Sequence, residues 1–345
     1  MSESVGKITS HLYCLTMTQN FSPNLLDNTT LAFFRDKSMS GAVSAAYVLI
    51  SLINFPANGL SMWLLVFRTS PKRPSIIFMI NLTLTDLIIG CVLPFQTIYL
   101  MKGYNWTFGS RMCSLTTVLL YANMYCSILT MTAISIDRYI GIVRPMNFKN
   151  VRKNFWAVIV CVVFWAVVLA VLYPLESTDL MYQVPDLNIT TCFDVLKYKM
   201  LPTVKHWILY LMIWCGVLFL IPFIITIFCY VNIIHSLAKT RSDRKDKALR
   251  LALYVLLVFI VCFAPNNILL VAHGIRRLFY GDSLYTAYKL SLSLSCLNSC
   301  LDPFIYYFAS KEFRQNFRKV LGLKRARNQD SSQQHTSHHT LLSMK

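Results

Sequence analysis

Apolar residues in this chain do not alternate with polar ones. They come in long runs separated by short, mostly basic stretches. Seven runs, at 41–67, 75–100, 111–143, 154–173, 203–237, 248–274 and 284–308, meet or approach the roughly 20 helical residues needed to cross about 30 Å of hydrocarbon. Barrel strands would be near ten residues and would alternate apolar with polar positions, which these runs do not. In hydrocarbon a helix satisfies its own backbone polar groups, so helices are the expected element. The chain therefore reads as an all-α membrane protein, a seven-transmembrane helix bundle over 41–308. A tail, 1–40, precedes it. Within 309–322, Phe313, Phe317 and Leu321 recur at i, i+4 and i+8, with Lys311, Arg314, Arg318 and Lys319 between them. That pattern predicts a short amphipathic eighth helix on a membrane surface. The remaining 323–345 is polar and is expected to be a disordered cytoplasmic tail.

Composition excludes a soluble reading. Hydrophobic residues make up 55% of the 345 positions and charged residues 14%, against about 25% charged in an average soluble domain. Charge also sets the expected orientation. If 68–74, 144–153, 239–250 and 311–345 share one side, that side carries 21 Lys and Arg against 4 acids, and the other side 11 against 8. The positive-inside rule then puts the N-terminus outside and the C-terminus in the cytosol, as in a multi-pass plasma-membrane protein. The glycosylation sequons at Asn20, Asn28, Asn105 and Asn188 all fall on the side assigned outside, whereas the one at Asn81 lies within a span. No segment before Met39 has the charged start and apolar core of a cleavable signal, so the first span is expected to act as an uncleaved anchor. The net charge of +18 suits membrane lipids and a cytosolic partner. Nucleic-acid binding would want one folded basic surface, and none is expected.

Four ionisable residues lie deep in the spans: Asp86, Asp137, Arg138 and Asp302. Such residues are costly in hydrocarbon, which makes each a functional candidate. Asp86 closes Asn81-Leu82 with Asp86-Leu87, Asp137 opens Asp137-Arg138-Tyr139, and Asp302 opens Asp302-Pro303 with Tyr306. With Asn58 in the first span, Trp165 in the fourth, Pro222 and Tyr230 in the fifth and Cys262-Phe263-Ala264-Pro265 in the sixth, every span carries a marker in order. In this the chain resembles the rhodopsin-like family of G-protein-coupled receptors. Phe78–Leu82, Tyr121–Tyr125 and Ser127–Thr130 are similar to the branch that groups purinergic, lysophospholipid and protease-activated receptors.

The resemblance implies roles for these positions. Asn58, Asp86, Ser127, Asn298 and Asp302 would line a sodium and water pocket, whose carboxylate, hydroxyl and amide oxygens suit a hard cation. A polar packing network without an ion is the alternative. No organic cofactor is expected, structural Na+ being the inorganic candidate. Asp137, Arg138, Tyr139, Tyr230 and Tyr306 would form the G-protein coupling switch. Pro94, Pro222, Pro265 and Pro303 each remove a helix hydrogen bond; Phe263, Pro265 and Pro303 would act as the activation hinge, static bends being the plainer reading. Cys113 and Cys192 match the family's disulfide, while Cys14 has no evident partner.

For the ligand, Cys296 replaces the lysine that retinal needs and Leu120 the acid that amines need. Nucleotide-responding relatives carry a phosphate-binding cation where this chain has Leu270. The expected ligand pocket combines Arg111, Lys199, His273, Arg277 and Lys289 at a basic rim with Phe95, Gln96, Tyr99, Tyr121, Tyr125 and Phe263 further in. Charge-assisted bonds at that rim would hold an anionic head, with an apolar tail below. The expected ligand is thus an anionic lipid or lipid-conjugated metabolite, a nucleotide or peptide remaining open. Expected partners are a heterotrimeric G protein of the Rho-activating or cyclase-inhibiting type, and arrestin. No enzymatic motif is present. A secondary transporter or a non-signalling scavenger receptor are the competing classes, and the intact Asp137-Arg138-Tyr139 argues against the scavenger.

Overall fold

The computed structural model describes residues 28–143, 154–194, 203–238, 243–279, 284–320 and 322. A short helix α1 (Asn28–Arg35) leads into α2 (Lys37–Trp63), which continues through a π-helical turn to Arg68. Then come α3 (Pro74–Met101), α4 (Ser110–Val143) and α5 (Asn154–Ser177). A hairpin follows, β1 (Met181–Val184) and β2 (Ile189–Cys192), antiparallel with Met181 opposite Cys192. Helices α6 (Val204–Met212) and α7 (Ile221–Ala238) are one span joined by a π-helical stretch, as are α8 (Asp243–Val258) and α9 (Ala264–Phe279). The chain continues through α10 (Tyr285–Cys296) and α11 (Asn298–Ala309) to α12 (Lys311–Val320).

Six of these spans are long and apolar enough to cross a membrane. The seventh is α10 with α11, interrupted at Leu297. The bundle closes by packing α2 on α3, α3 on α4, α4 on α5 and α7, α7 on α8, α9 on α10, and α11 back on α2 and α8. The long apolar side chains that face outward, such as Leu49, Leu52, Val162 and Phe228, leave the polar residues for the interior. This inverts the soluble pattern and suits hydrocarbon.

The spans run somewhat longer than their apolar runs, because a helix need not end where hydrophobicity does. The first helix starts at Lys37, where the Asp36 carboxylate accepts from the amides of Ser38 (2.9 Å) and Met39 (3.2 Å). The stretch 28–40, assigned to the tail from the sequence, is thus helical and part of the bundle. Phe33 and Phe34 in α1 are buried against Tyr104 and Tyr285, with ring centroids 5.0–5.6 Å apart. Helix α12 lies within 309–322. Phe313 packs on Tyr306 and Phe317 on Tyr307, while Arg73 pairs with Glu312 at 3.5 Å. Partial burial pushes the Glu312 carboxyl up, but its own backbone amide, Arg73 and the Ser310 hydroxyl outweigh this and hold it below the usual carboxylate value.

Interhelical polar bonds fix the packing. Asn81, the sequon inside a span, donates to Thr130 Oγ1 at 2.9 Å and accepts from Trp165 Nε1 at 3.0 Å, tying α3, α4 and α5 together. Pro303 cannot donate to the carbonyl one turn back, and that oxygen, on Ser299, instead accepts from Asn58 Nδ2 at 2.7 Å. Asn54 Nδ2 donates to the Asp86 carbonyl at 2.6 Å, an approach open only because Gly90 has no side chain: a Cβ there would lie 2.6 Å from that nitrogen. Gly90→Ala should therefore push Asn54 off its acceptor and destabilise the bundle by about 1–3 kcal/mol. A thermal-unfolding assay of purified receptor in lipid discs checks this, with Gly41→Ala, where a Cβ meets nothing, as the control.

Candidate functional site

Three polar groups of residues occupy the interior, one at each end of the bundle and one between. The first is at the end closed by the Cys113–Cys192 disulfide, which is formed with 5.7 Å between Cα atoms. The hairpin is also anchored by Trp106 N to Thr190 O (2.7 Å) and by Thr190 N to Asn105 Oδ1 (3.1 Å). Just past Cys192, Phe193 adopts a left-handed backbone, φ 61°, a conformation unfavourable for a bulky residue. It sets the Phe193 ring against Tyr121, 5.7 Å away, while Asp194 turns inward. The Asp194 carboxylate has no exposed side-chain surface. It pairs with Lys289 of α10 and accepts from the Tyr99 hydroxyl, which itself accepts from Cys192 N at 3.4 Å.

This adds a buried partner to Lys289, which the sequence reading placed at the basic rim. A buried carboxylate needs a compensating charge, and Lys289, only 15% exposed, supplies it. Its ammonium also lies 5.8 Å from the Tyr285 ring centroid. Of the other rim residues, Arg111 is exposed on α4 and His273 stacks on Tyr288 at 5.4 Å. Arg277 belongs to α9 but its side chain lies outside the described residues, as does Lys199. Phe95 packs on Phe108 at 5.2 Å, and Gln96 beside it is half-buried.

Below this ion pair the interior is aromatic. The Tyr121 and Tyr288 hydroxyls bond to each other, and Tyr125 donates to Asn267 Oδ1 at 3.1 Å. Trp214 packs on both Tyr121 (5.1 Å) and Tyr125 (5.7 Å). Asn267 Nδ2 returns a bond of 2.9 Å to the carbonyl of Phe263, which is fully buried against Phe259. Asp194, Trp214, Asn267 and Tyr288 are not among the residues expected at the site from the sequence. Asp194 does leave a signal: it follows the disulfide cysteine by two positions, and Lys289 is the lone base in the seventh apolar run.

All five residues expected around sodium are fully buried: Asn58, Asp86, Ser127, Asn298 and Asp302. Asp86 accepts from Asn123 Nδ2 (3.4 Å) and Tyr306 OH (3.5 Å). The Asn58 side-chain oxygen, both polar atoms of the Asn298 amide and both Asp302 oxygens have no hydrogen-bond partner among the described residues. Unmet buried oxygens beside two carboxyl groups fit a hard cation with its water.

At the opposite end Arg138 donates to the Ala309 carbonyl, bridging α4 to the end of α11. Asp137 beside it is buried, Tyr139 packs on Phe228 at 5.8 Å, and Tyr230 is buried close to Arg138 and Ser135. Pro265 and Pro303 sit in α9 and α11, just past the π-helical turn at Phe259–Phe263 and the break at Leu297. Among the sequons, Asn188 is exposed and Asn105 half-buried; Asn28 opens α1, its side chain undescribed, and Asn20 lies outside the described residues, as do Cys14 and 323–345.

This architecture is that of a heptahelical membrane receptor. Residues 57–306 match the 7 transmembrane receptor (rhodopsin family), and the chain belongs to that family. It is 52% identical to the P-two-Y purinoceptor 8 of Gallus gallus, covering 86% of this chain and 84% of that protein. It is 48% identical to the S-geranylgeranyl-glutathione receptor of Homo sapiens, over 87% and 84% respectively. Proteinase-activated receptor 2 of Mus musculus is 36% identical, over 86% and 75%. The chain is therefore a multi-pass plasma-membrane receptor that couples to G proteins and takes a small-molecule ligand, and it is not an enzyme.

The ion pair gives a direct test of the disulfide end. Lys289→Met alone leaves a buried carboxylate without its countercharge, and Asp194→Asn alone leaves a buried ammonium; each should destabilise by about 3–5 kcal/mol. The double variant should recover much of that loss. Thermal unfolding of the four receptors measures the coupling, and additive losses would mean that the pair does not act as a unit.

Proposed function

We propose that this receptor recognises an extracellular amphiphile whose head carries both charges and whose tail is apolar. The reading rests on one observation: among the described residues at the disulfide end, Lys289 and Asp194 form a buried charge pair above an interior lined by aromatic and aliphatic side chains. A head with carboxylates and an ammonium can exchange partners with such a pair, carboxylate to Lys289 and ammonium to Asp194, without stranding either charge. Glutathione thioethers have such a head, and the human relative is named as the receptor of one of them, S-geranylgeranyl-glutathione. Leu270 points the same way, since a side chain without charge gives a phosphate nothing to bind there. The N-terminus and the disulfide end would face outside, as the charge asymmetry of the loops requires.

Arg138 would carry the signal. Leaving the Ala309 carbonyl, it would face the G protein beside Tyr139, Tyr230 and Tyr306, with Phe263, Pro265 and Pro303 allowing the spans to pivot. A sodium ion held by Asp86, Asp302, Asn58, Ser127 and Asn298 would favour the resting packing. A G protein of the Rho-activating or cyclase-inhibiting type is the proposed partner, with arrestin at the C-terminal tail.

The deciding experiment is a G-protein dissociation panel in cells, challenged with prenyl thioethers of glutathione, plain nucleotides and peptides. Activation by the thioethers and by no tail-free ligand is the expected result; activation by nucleotides or peptides alone would overturn the reading. Arg138→Ala should reach the surface and bind the same ligand, yet lose activation. Asp86→Asn should abolish the sodium dependence of agonist affinity, and sodium sensitivity that survives would place the ion elsewhere.

A further inference from the structure

A narrow, partly open recess lies among the ends of α5, α6 and α9 under the hairpin, lined by Phe193, Trp207, Leu211, Trp214, Leu270 and Gly274 among others. The surface it presents is apolar throughout. Gly274 matters to its shape, because a Cβ there would sit 2.6 Å from Leu211 Cδ1; the two helices touch at that point and form one wall of the recess. The same helices turn Leu209, Met212 and Ile268 outward, where more than half of each residue is exposed on the hydrocarbon side. The recess is linked through packed rings to the helix that carries Lys289. Its lining residues Phe193 and Trp214 pack on Tyr121, Tyr121 bonds to Tyr288, and Tyr288 precedes Lys289 and stacks on His273, which also lines the recess.

We propose that this recess between α6 and α9 is the seat of the ligand's hydrocarbon tail, the head being held at Lys289 and Asp194; the assignment rests on the amphiphile reading above. The surface the recess presents is apolar, so burying a hydrocarbon chain there gains affinity in proportion to its length. Leu270 is then a specificity residue: the side chain that denies a phosphate its cation forms a wall of the tail site. The tail enters from hydrocarbon along the outward face of α6 and α9, so a ligand dissolved in the membrane meets the recess before it meets the head site.

The test uses S-alkyl glutathiones, lengthened two carbons at a time, with affinity measured on full-length receptor in lipid discs. Wild type should gain roughly tenfold per two-carbon step until the recess is full. Leu270→Trp, which fills the recess, should bind the shortest members as wild type does and lose the gain for the longer ones. Leu211→Ala, which enlarges it, should move the best chain length up by about two carbons. If Leu270→Trp does not reach the surface, Leu211→Ala decides the matter. A wild-type slope unchanged in both variants overturns the recess assignment and leaves the amphiphile reading standing. Absence of any chain-length gain in wild type overturns both.

Discussion

Hydrocarbon offers no hydrogen bonds, and the rest of this structure follows from that constraint. Every buried backbone polar group must find its partner inside the bundle. Where the backbone loses a donor, a side chain fills the gap, as Asn58 does at the Ser299 carbonyl opposite Pro303. Where a carboxylate is buried, a cation is drawn to it, as Lys289 is to Asp194. The polar residues therefore collect at a few points in the interior.

The clusters are linked through close-packed rings. From Asp194 and Lys289 the chain of contacts runs through Tyr288 and Tyr121 to Trp214 and Tyr125, then by Asn267 to the Phe263 carbonyl. Phe263 closes on Phe259, and Phe259 stacks on Phe223 at 5.6 Å. Both Phe259 and Phe263 lie at the π-helical turn that joins α8 to α9, where the helix has departed from regular hydrogen bonding and can bend at least cost. On the function proposed above, a ligand that moves Tyr288 would press on the irregular turn of the sixth span. At the far end Tyr254 of α8 bonds the Leu301 carbonyl at 3.0 Å, so a rotation of α8 is felt by α11 and by the Arg138 contact beyond it.

Most of the fold was legible in the sequence because long apolar runs and basic gaps carry it directly. The cysteine pair was legible through its motif, and the structure joins it; the five oxygen-bearing residues picked out by their motifs are all fully buried. Other features were hidden for physical reasons. Helix α1 is only a short segment with two phenylalanines, and its order comes from Tyr104 and Tyr285, far away in the chain. The hairpin strands are four residues each, too short for alternation to register. The Asp194 partner of Lys289 was hidden because it follows the hairpin, and pattern within one span cannot show a partner across the bundle.

The ligand, on this reading, acts by dividing the Lys289–Asp194 pair. A cryo-electron microscopy map of the receptor with its activating amphiphile and G protein measures this directly. Density for the charged head is expected between the two side chains, with Lys289 and Asp194 each turned to the ligand and no longer in contact. A map in which the amphiphile is bound while that pair remains closed would contradict it.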